Sequence, residues 1–107
     1  MKVEWLDAAN NDLLEVAELV FLQFGLSAAR RAVAEVTADT ARIGEFPEIG
    51  RRCNEYTSTK RQYRALHTRH NRIVYTIQPD CVLIVAIFDT RRDPAKLEAL
   101  LRSREWS

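Results

Sequence analysis

Glycine is scarce in this 107-residue chain, with three residues at positions 25, 44 and 50. Such spacing excludes a glycine-rich phosphate cradle of the P-loop or dinucleotide-binding kind, which needs several glycines within one short turn. Cysteine is equally sparse. Cys53 and Cys81 have neither the spacing of a zinc site nor a framework of paired bridges, and both are expected as free thiols in a reducing compartment. The two histidines, His67 and His70, have no cysteine or acid at ligand spacing beside them. No metal site is expected, and no cofactor signature is present. No serine or cysteine is spaced with a base in the way that marks a nucleophile. Long apolar runs are missing too: the longest core-like stretch, Val82–Phe88, falls far short of the roughly 18 residues that cross a bilayer. The opening MKVEWLDAANNDLLEV carries acids where a secretory signal has its apolar centre. A cytoplasmic protein without a membrane segment is the expectation.

What is present is the mixture of a soluble globular domain, 47% hydrophobic and 29% charged. The length suits one domain spanning 1–107. The net charge of +1 conceals an asymmetry, because residues 1–50 hold 4 basic and 9 acidic side chains and residues 51–107 hold 12 basic and 6 acidic. Either the two halves face different ways and one face attracts phosphate or an acidic protein segment, or the charges interleave on folding.

Periodicity supplies the elements. Val3–Trp5 reads as an opening strand, with Asp7 as the cap of a helix. Ala9, Leu13, Val16, Ala17, Val20, Phe21 and Phe24 recur at spacings of three and four and define its inward face. Gly25 ends this helix. Ser27 caps a second one, with Ala29, Val33, Val36, Thr40 and Ile43 inward and Gly44 as its stop. So short a link predicts an antiparallel helical hairpin. Pro47 and Gly50 then break the helical pattern, and the polar, aperiodic stretch 51–62 reads as a mobile loop. From Tyr63 the period becomes two, giving strands over 63–68 and 73–77. After a turn at Gln78–Cys81, Val82–Phe88 reads as a central strand, apolar on both faces and covered by helices on one. Leu97, Leu100 and Leu101 predict a short helix in the tail, 95–107. The fold class is α+β: an N-terminal strand, a helical hairpin on a three- to four-stranded antiparallel sheet, and a C-terminal helix.

The chemistry-bearing residues form a guanidinium-rich set: Arg51, Arg52, Lys60, Arg61, Arg64, Arg69, Arg72, Arg91 and Arg92. Arginine stays protonated and offers a planar fork matched to phosphate or carboxylate. In RNA cleavage such groups stabilise a pentavalent phosphate, with His67, Tyr63 or Tyr75 as proton-transfer candidates. Two neighbouring strand ends are expected to bring Arg64 and Arg91 onto one rim. The competing reading is that most of these side chains are solvated strand and loop charge.

In order, AANNDLLEVAELV (an A-x-x-D-L pattern at Ala9, Asp12 and Leu13), FPEIGRR (P-x-x-G-R at Pro47, Gly50 and Arg51), YRAL, RIVYTI and VLIVAIFDTRRDP resemble the RelE/ParE superfamily, the toxins of bacterial type II toxin–antitoxin systems. The resemblance runs from about residue 3 to 94. It implies a plasmid-stabilising toxin that works without a cofactor and is bound by a cognate antitoxin whose disordered segment folds over it, in a hetero-oligomer. It implies one of two targets. RelE-like members cut messenger RNA on the ribosome, and for that branch Arg64, Arg91, His67 and Lys60 are the candidate catalytic residues. ParE-like members poison DNA gyrase. The tail offers Arg104, Glu105 and Trp106 where a RelE-like tyrosine or histidine is expected, and Asp89 stands where many members have histidine, free to pair with Arg91 or Arg64. The ParE-like branch is therefore favoured, with Arg51, Arg61, Arg64, Tyr75, Arg91 and Arg92 as target- or antitoxin-contacting residues. A third possibility is a diverged, non-toxic binding module.

Overall fold

The computed structural model describes residues 1–105. Lys2–Trp5 forms β1, Asp7–Phe24 α1, Leu26–Glu45 α2, Arg51–Arg52 β2, Arg64–His67 β3, Asn71–Ile77 β4, Cys81–Asp89 β5 and Ala95–Ser103 α3. The architecture is α+β, as expected, but the sheet has five strands in the order β1-β5-β4-β3-β2. The pairs β2–β3, β3–β4 and β4–β5 are antiparallel, whereas β1 runs parallel to β5, so the sheet is mixed. The helical reading of the tail holds to Ser103; Trp106 and Ser107 lie outside the described residues.

A single residue, Gly25, joins α1 to α2 at φ 91°. A Cβ there would meet nothing within 4 Å, so glycine is required for its left-handed conformation and not for space. Its amide donates to the Phe21 carbonyl at 2.9 Å, and its own carbonyl accepts from Ala29 at 3.1 Å. Caps differ from the sequence reading. Leu6 and Gly25 occupy the N-cap positions, and Asp7 and Ser27 lie inside the first turns without capping through their side chains. Asp7 still carries negative charge at the positive end of the helix dipole. Gly44 is buried within α2 instead of ending it. A Cβ there would lie 2.6 Å from Val3 Cγ2 and 3.0 Å from the Met1 carbonyl, so its role is the close approach of α2 to β1.

The sheet is covered on both faces, which is why β5 is apolar on both. On the hairpin side Ala9, Val36, Ile43, Ile73, Tyr75, Val82, Ile84 and Ile87 form one core. On the other side Cys53, Tyr63, Ala65, Val74, Val85, Phe88, Leu97 and Leu101 form a second, closed by α3 and the segment after β2. A β-bulge lets one strand serve both. Val74 pairs with Ala86 and Tyr75 with Ile84, leaving Val85 without an opposite residue on β4. As a result Ile84 and Ile87 both reach the hairpin core, while Val85 and Ala86 both reach the other.

β1 accompanies β5 only over Cys81–Ile84, after which the Leu6 amide takes the Ile84 carbonyl at 3.0 Å and the chain turns into α1. Among the described residues no strand accompanies the rest of β5 on that side. Two side chains from distant parts of the chain fill the gap. The Asp12 carboxylate accepts from the Ile87 amide at 3.0 Å, and the Arg104 guanidinium donates to the Val85 carbonyl at 2.9 Å. Asp12 and Arg104 join each other through a two-pronged ion pair at 2.6 and 2.8 Å, with both side chains largely buried. Removing one member strands the other's charge and a backbone group together. Asp12→Ala or Arg104→Ala is expected to cost about 2–4 kcal/mol in urea unfolding. The double variant is expected to cost clearly less than the sum.

Around Gly50 the packing is equally demanding. The buried Tyr75 hydroxyl donates to the Pro47 carbonyl at 2.6 Å and accepts from the Gly50 amide at 2.8 Å. A Cβ on Gly50 would fall 2.8 Å from the Tyr75 ring and 3.0 Å from the Ala65 backbone. Gly50→Ala should therefore lower stability by about 1–3 kcal/mol through overpacking. Tyr75→Phe should cost about 1–3 kcal/mol by leaving the buried Gly50 amide and the partly buried Pro47 carbonyl unpaired. Thermal melts of the two variants check both values.

Candidate functional site

The register separates residues that the sequence reading brought onto one rim. Arg64 pairs with Tyr75 near one end of β4, and Asp89, leading to Arg91, pairs with Asn71 at the other end. About four residues of extended chain, or ~13 Å, lie between these ends. Arg64 also shares the hairpin face with Tyr75. Its guanidinium donates to the Gly50 carbonyl at 2.8 Å and the Glu48 carbonyl at 3.2 Å, holding the turn after α2. Tyr75 is fully buried, so it presents no contact surface to a partner.

At the far end, Asp89 resolves its two candidate pairings in favour of Arg91, with contacts of 3.2 and 2.8 Å to the guanidinium and 2.8 Å to the Arg91 amide. The Arg91 hydrogen bonds hold the Asp89 carboxyl below its ordinary range. Arg92 lies over the Phe88 ring, 4.9 Å from its centroid. Phe88 pairs with Arg72, and Arg72 with His67, so a row of cationic and aromatic groups crosses β5, β4 and β3 on the face opposite the hairpin. Arg72 also reaches the Tyr56 hydroxyl at 3.5 Å. Arg51 stands on the same face, paired with Glu55 at 3.0 Å. Partial burial, and then Arg72 and Arg51, push the His67 imidazole below its ordinary value, favouring the neutral ring.

Lys60 and Arg61 lie at the Arg64 end. The loop carrying them is tied down by acids of the C-terminal segment, in contrast to the mobile loop expected. Glu105 accepts from the Lys60 amide at 2.8 Å, the Arg61 amide at 3.1 Å and the Tyr63 hydroxyl at 3.1 Å. Glu98 accepts from the Ser58 amide at 3.0 Å and from its hydroxyl. Burial and then Glu105 drive the Tyr63 phenol strongly upward, keeping it protonated. Both cysteines are free and buried, and burial raises both thiols. The chain reading missed Asp12 and Arg104 as a pair: the A-x-x-D-L pattern marks Asp12, but nothing local marks its partner 92 residues away.

The hairpin tip carries a different chemistry. Phe21 and Phe24, assigned from the period to the inward face, are 50% and 72% exposed, because the tip side chains join neither core. Leu19, Leu22 and Leu26, close to Gly25 in the chain, are exposed as well, and Leu14 is exposed further back along α1; exposed apolar side chains gathered in this way mark an interaction site. No basic residue lies on α1.

His67 gives a pH test. Its folded pKa lies below the unfolded value of about 6.5, so the unfolded chain takes the proton first. Its contribution to stability is complete above that value and is lost as pH falls through the folded pKa. An NMR titration should place His67 below a free histidine. His67→Gln should flatten the fall in urea midpoint between roughly pH 7 and 5.

Among known proteins, the family described as "ParE toxin of type II toxin-antitoxin system, parDE" matches residues 3–94. A solved structure, described as the chromosomal ParDE TA system from P. aeruginosa, shares the fold with a TM-score of 0.69 at 16% identity, over 83% of this chain and 95% of that one. No curated protein matches the chain. With the family pattern covering most of its length, the chain belongs to the ParE toxin family of type II toxin–antitoxin systems.

Proposed function

We propose that the protein acts by binding, as a toxin that inhibits DNA gyrase and is neutralised by a cognate antitoxin in a hetero-oligomer. Family membership over residues 3–94 carries this reading. The committed state of the candidate catalytic groups supports it. Arg91 is engaged by Asp89, Arg64 by two backbone carbonyls, the Tyr63 hydroxyl by Glu105 and the Tyr75 hydroxyl by Pro47. The apolar hairpin tip suits the amphipathic helix of an antitoxin, which would insert its side chains between the exposed leucines and phenylalanines. The basic half of the sheet suits acidic residues of the same segment.

One observation favours the second reading, a ribosome-dependent endoribonuclease. His67 faces Arg72 with Arg51 and Tyr56 near by, which places a neutral base beside cations that could hold a phosphate. Expression without an antitoxin separates the two readings. Gyrase inhibition predicts filamentation and DNA-damage signalling while protein synthesis continues, and loss of supercoiling by purified gyrase when the protein is added. Cleavage of translating messages, abolished in His67→Ala, would replace it with the nuclease reading.

A further inference from the structure

Where α2 ends at Glu45, the segment Phe46–Gly50 crosses the end of the sheet and leaves two adjoining depressions. One, of about 500 Å³, is walled by Met1, Phe46, Ile49 and Ile77. All four are large apolar side chains left at least a third exposed. The other, of about 530 Å³, is lined by Arg52, Lys60, Arg61 and Arg64 together with Gln62 and Gln78. Glu48 and Ile77 belong to both, so the two form one groove that passes from apolar to cationic.

The charges within this groove are unbalanced. Among the described residues Glu48, at the junction, is the one acid lining the cationic half, where Arg52, Lys60 and Arg64 stand; Glu105 is taken up by the Lys60 and Arg61 amides, and Glu45 lies by the apolar half. Arg64 keeps its charge while its guanidinium is held by carbonyls of the turn. Arg52 and Lys60 make no ion pair among the described residues. Like charges gathered on low-dielectric walls raise the local potential and draw in anions. The outer edge of β2, a two-residue strand at the margin of the sheet, borders the same place, and the Arg52 carbonyl on it already accepts from the Arg51 guanidinium at 3.2 Å.

We infer that this groove binds an acidic, extended peptide segment with an apolar side chain at one end, the apolar group entering between Phe46, Ile49 and Ile77 and the carboxylates meeting Arg52 and Lys60. The charge pattern places the apolar end of the segment at the Met1 side and its carboxylates at the Arg52 side. A nucleic-acid backbone would satisfy the cations alone and leave the apolar half uncovered. The inference stands on the groove and holds whichever target the toxin has.

The probe is a fluorescein-labelled peptide of two leucines followed by four glutamates, titrated against the full chain by anisotropy, beside the same peptide with its leucines replaced by serine and a single-stranded DNA oligonucleotide of equal charge. Binding of the leucine peptide is expected, tenfold or more tighter than the serine peptide and weakened by added salt. The double substitution Arg52→Glu, Lys60→Glu should weaken it at least tenfold, and Ile77→Asp should do so independently; these side chains are exposed, and circular dichroism checks that each variant is folded. Absence of binding, equal affinity for the serine peptide, tighter binding of the oligonucleotide, or binding unaffected by the substitutions would each overturn the proposal.

Discussion

An unfinished strand edge is the constraint to which the rest of this fold answers. β5 carries the core of both faces, yet its parallel neighbour leaves it halfway along. A buried edge with unpaired backbone groups is costly. Asp12 and Arg104 stand in for the missing strand, one accepting from the Ile87 amide and the other donating to the Val85 carbonyl. Because one partner sits on α1 and the other follows α3, the same contact fastens the layer above the sheet to the layer below it. The bulge at Val85 helps, since it turns both Ile84 and Ile87 to one side and Val85 and Ala86 to the other.

Much of this was written locally. The alternation after Tyr63, the helical spacing before Gly25 and again up to Ile43, and the leucine spacing of the tail gave element types that survive in three dimensions, because each records which face is buried. Pairing is not recorded there. Nothing in Val3–Trp5 announces a parallel neighbour 79 residues on, and no period reports a bulge. The candidate site suffered most from this. Arg64 and Arg91 read as neighbours when each strand is taken alone, but the register of β3 and β5 against β4 sets them at opposite ends. Burial misled differently at the hairpin tip, where the period continues through Phe21 and Phe24 although no core lies beneath them. Tyr75 reversed the other way: a polar aromatic on a strand turned out to be the buried lock of the turn at Pro47–Gly50.

Arginine is used here for two opposed purposes. Arg104, Arg64 and Arg91 spend their donors inside the molecule, on carbonyls and carboxylates that fix backbone. Arg72 and Arg92 lie over aromatic or hydroxyl groups on one face, and Arg52 with Lys60 lines a groove at the other end of the sheet. The net charge of the second half is therefore not one positive field but two, divided by the length of β4.

The single-residue link at Gly25 has a temporal side. A helical pair joined so tightly is made of short-range contacts and can assemble while the chain is still being synthesised. The strand that must cover its inner face begins at Cys81, long after Glu45 has ended the pair. Until then the hairpin carries apolar side chains on its inner face as well as at its tip. During that interval the nascent chain is at its most adhesive, and the speed of translation sets how long that state lasts.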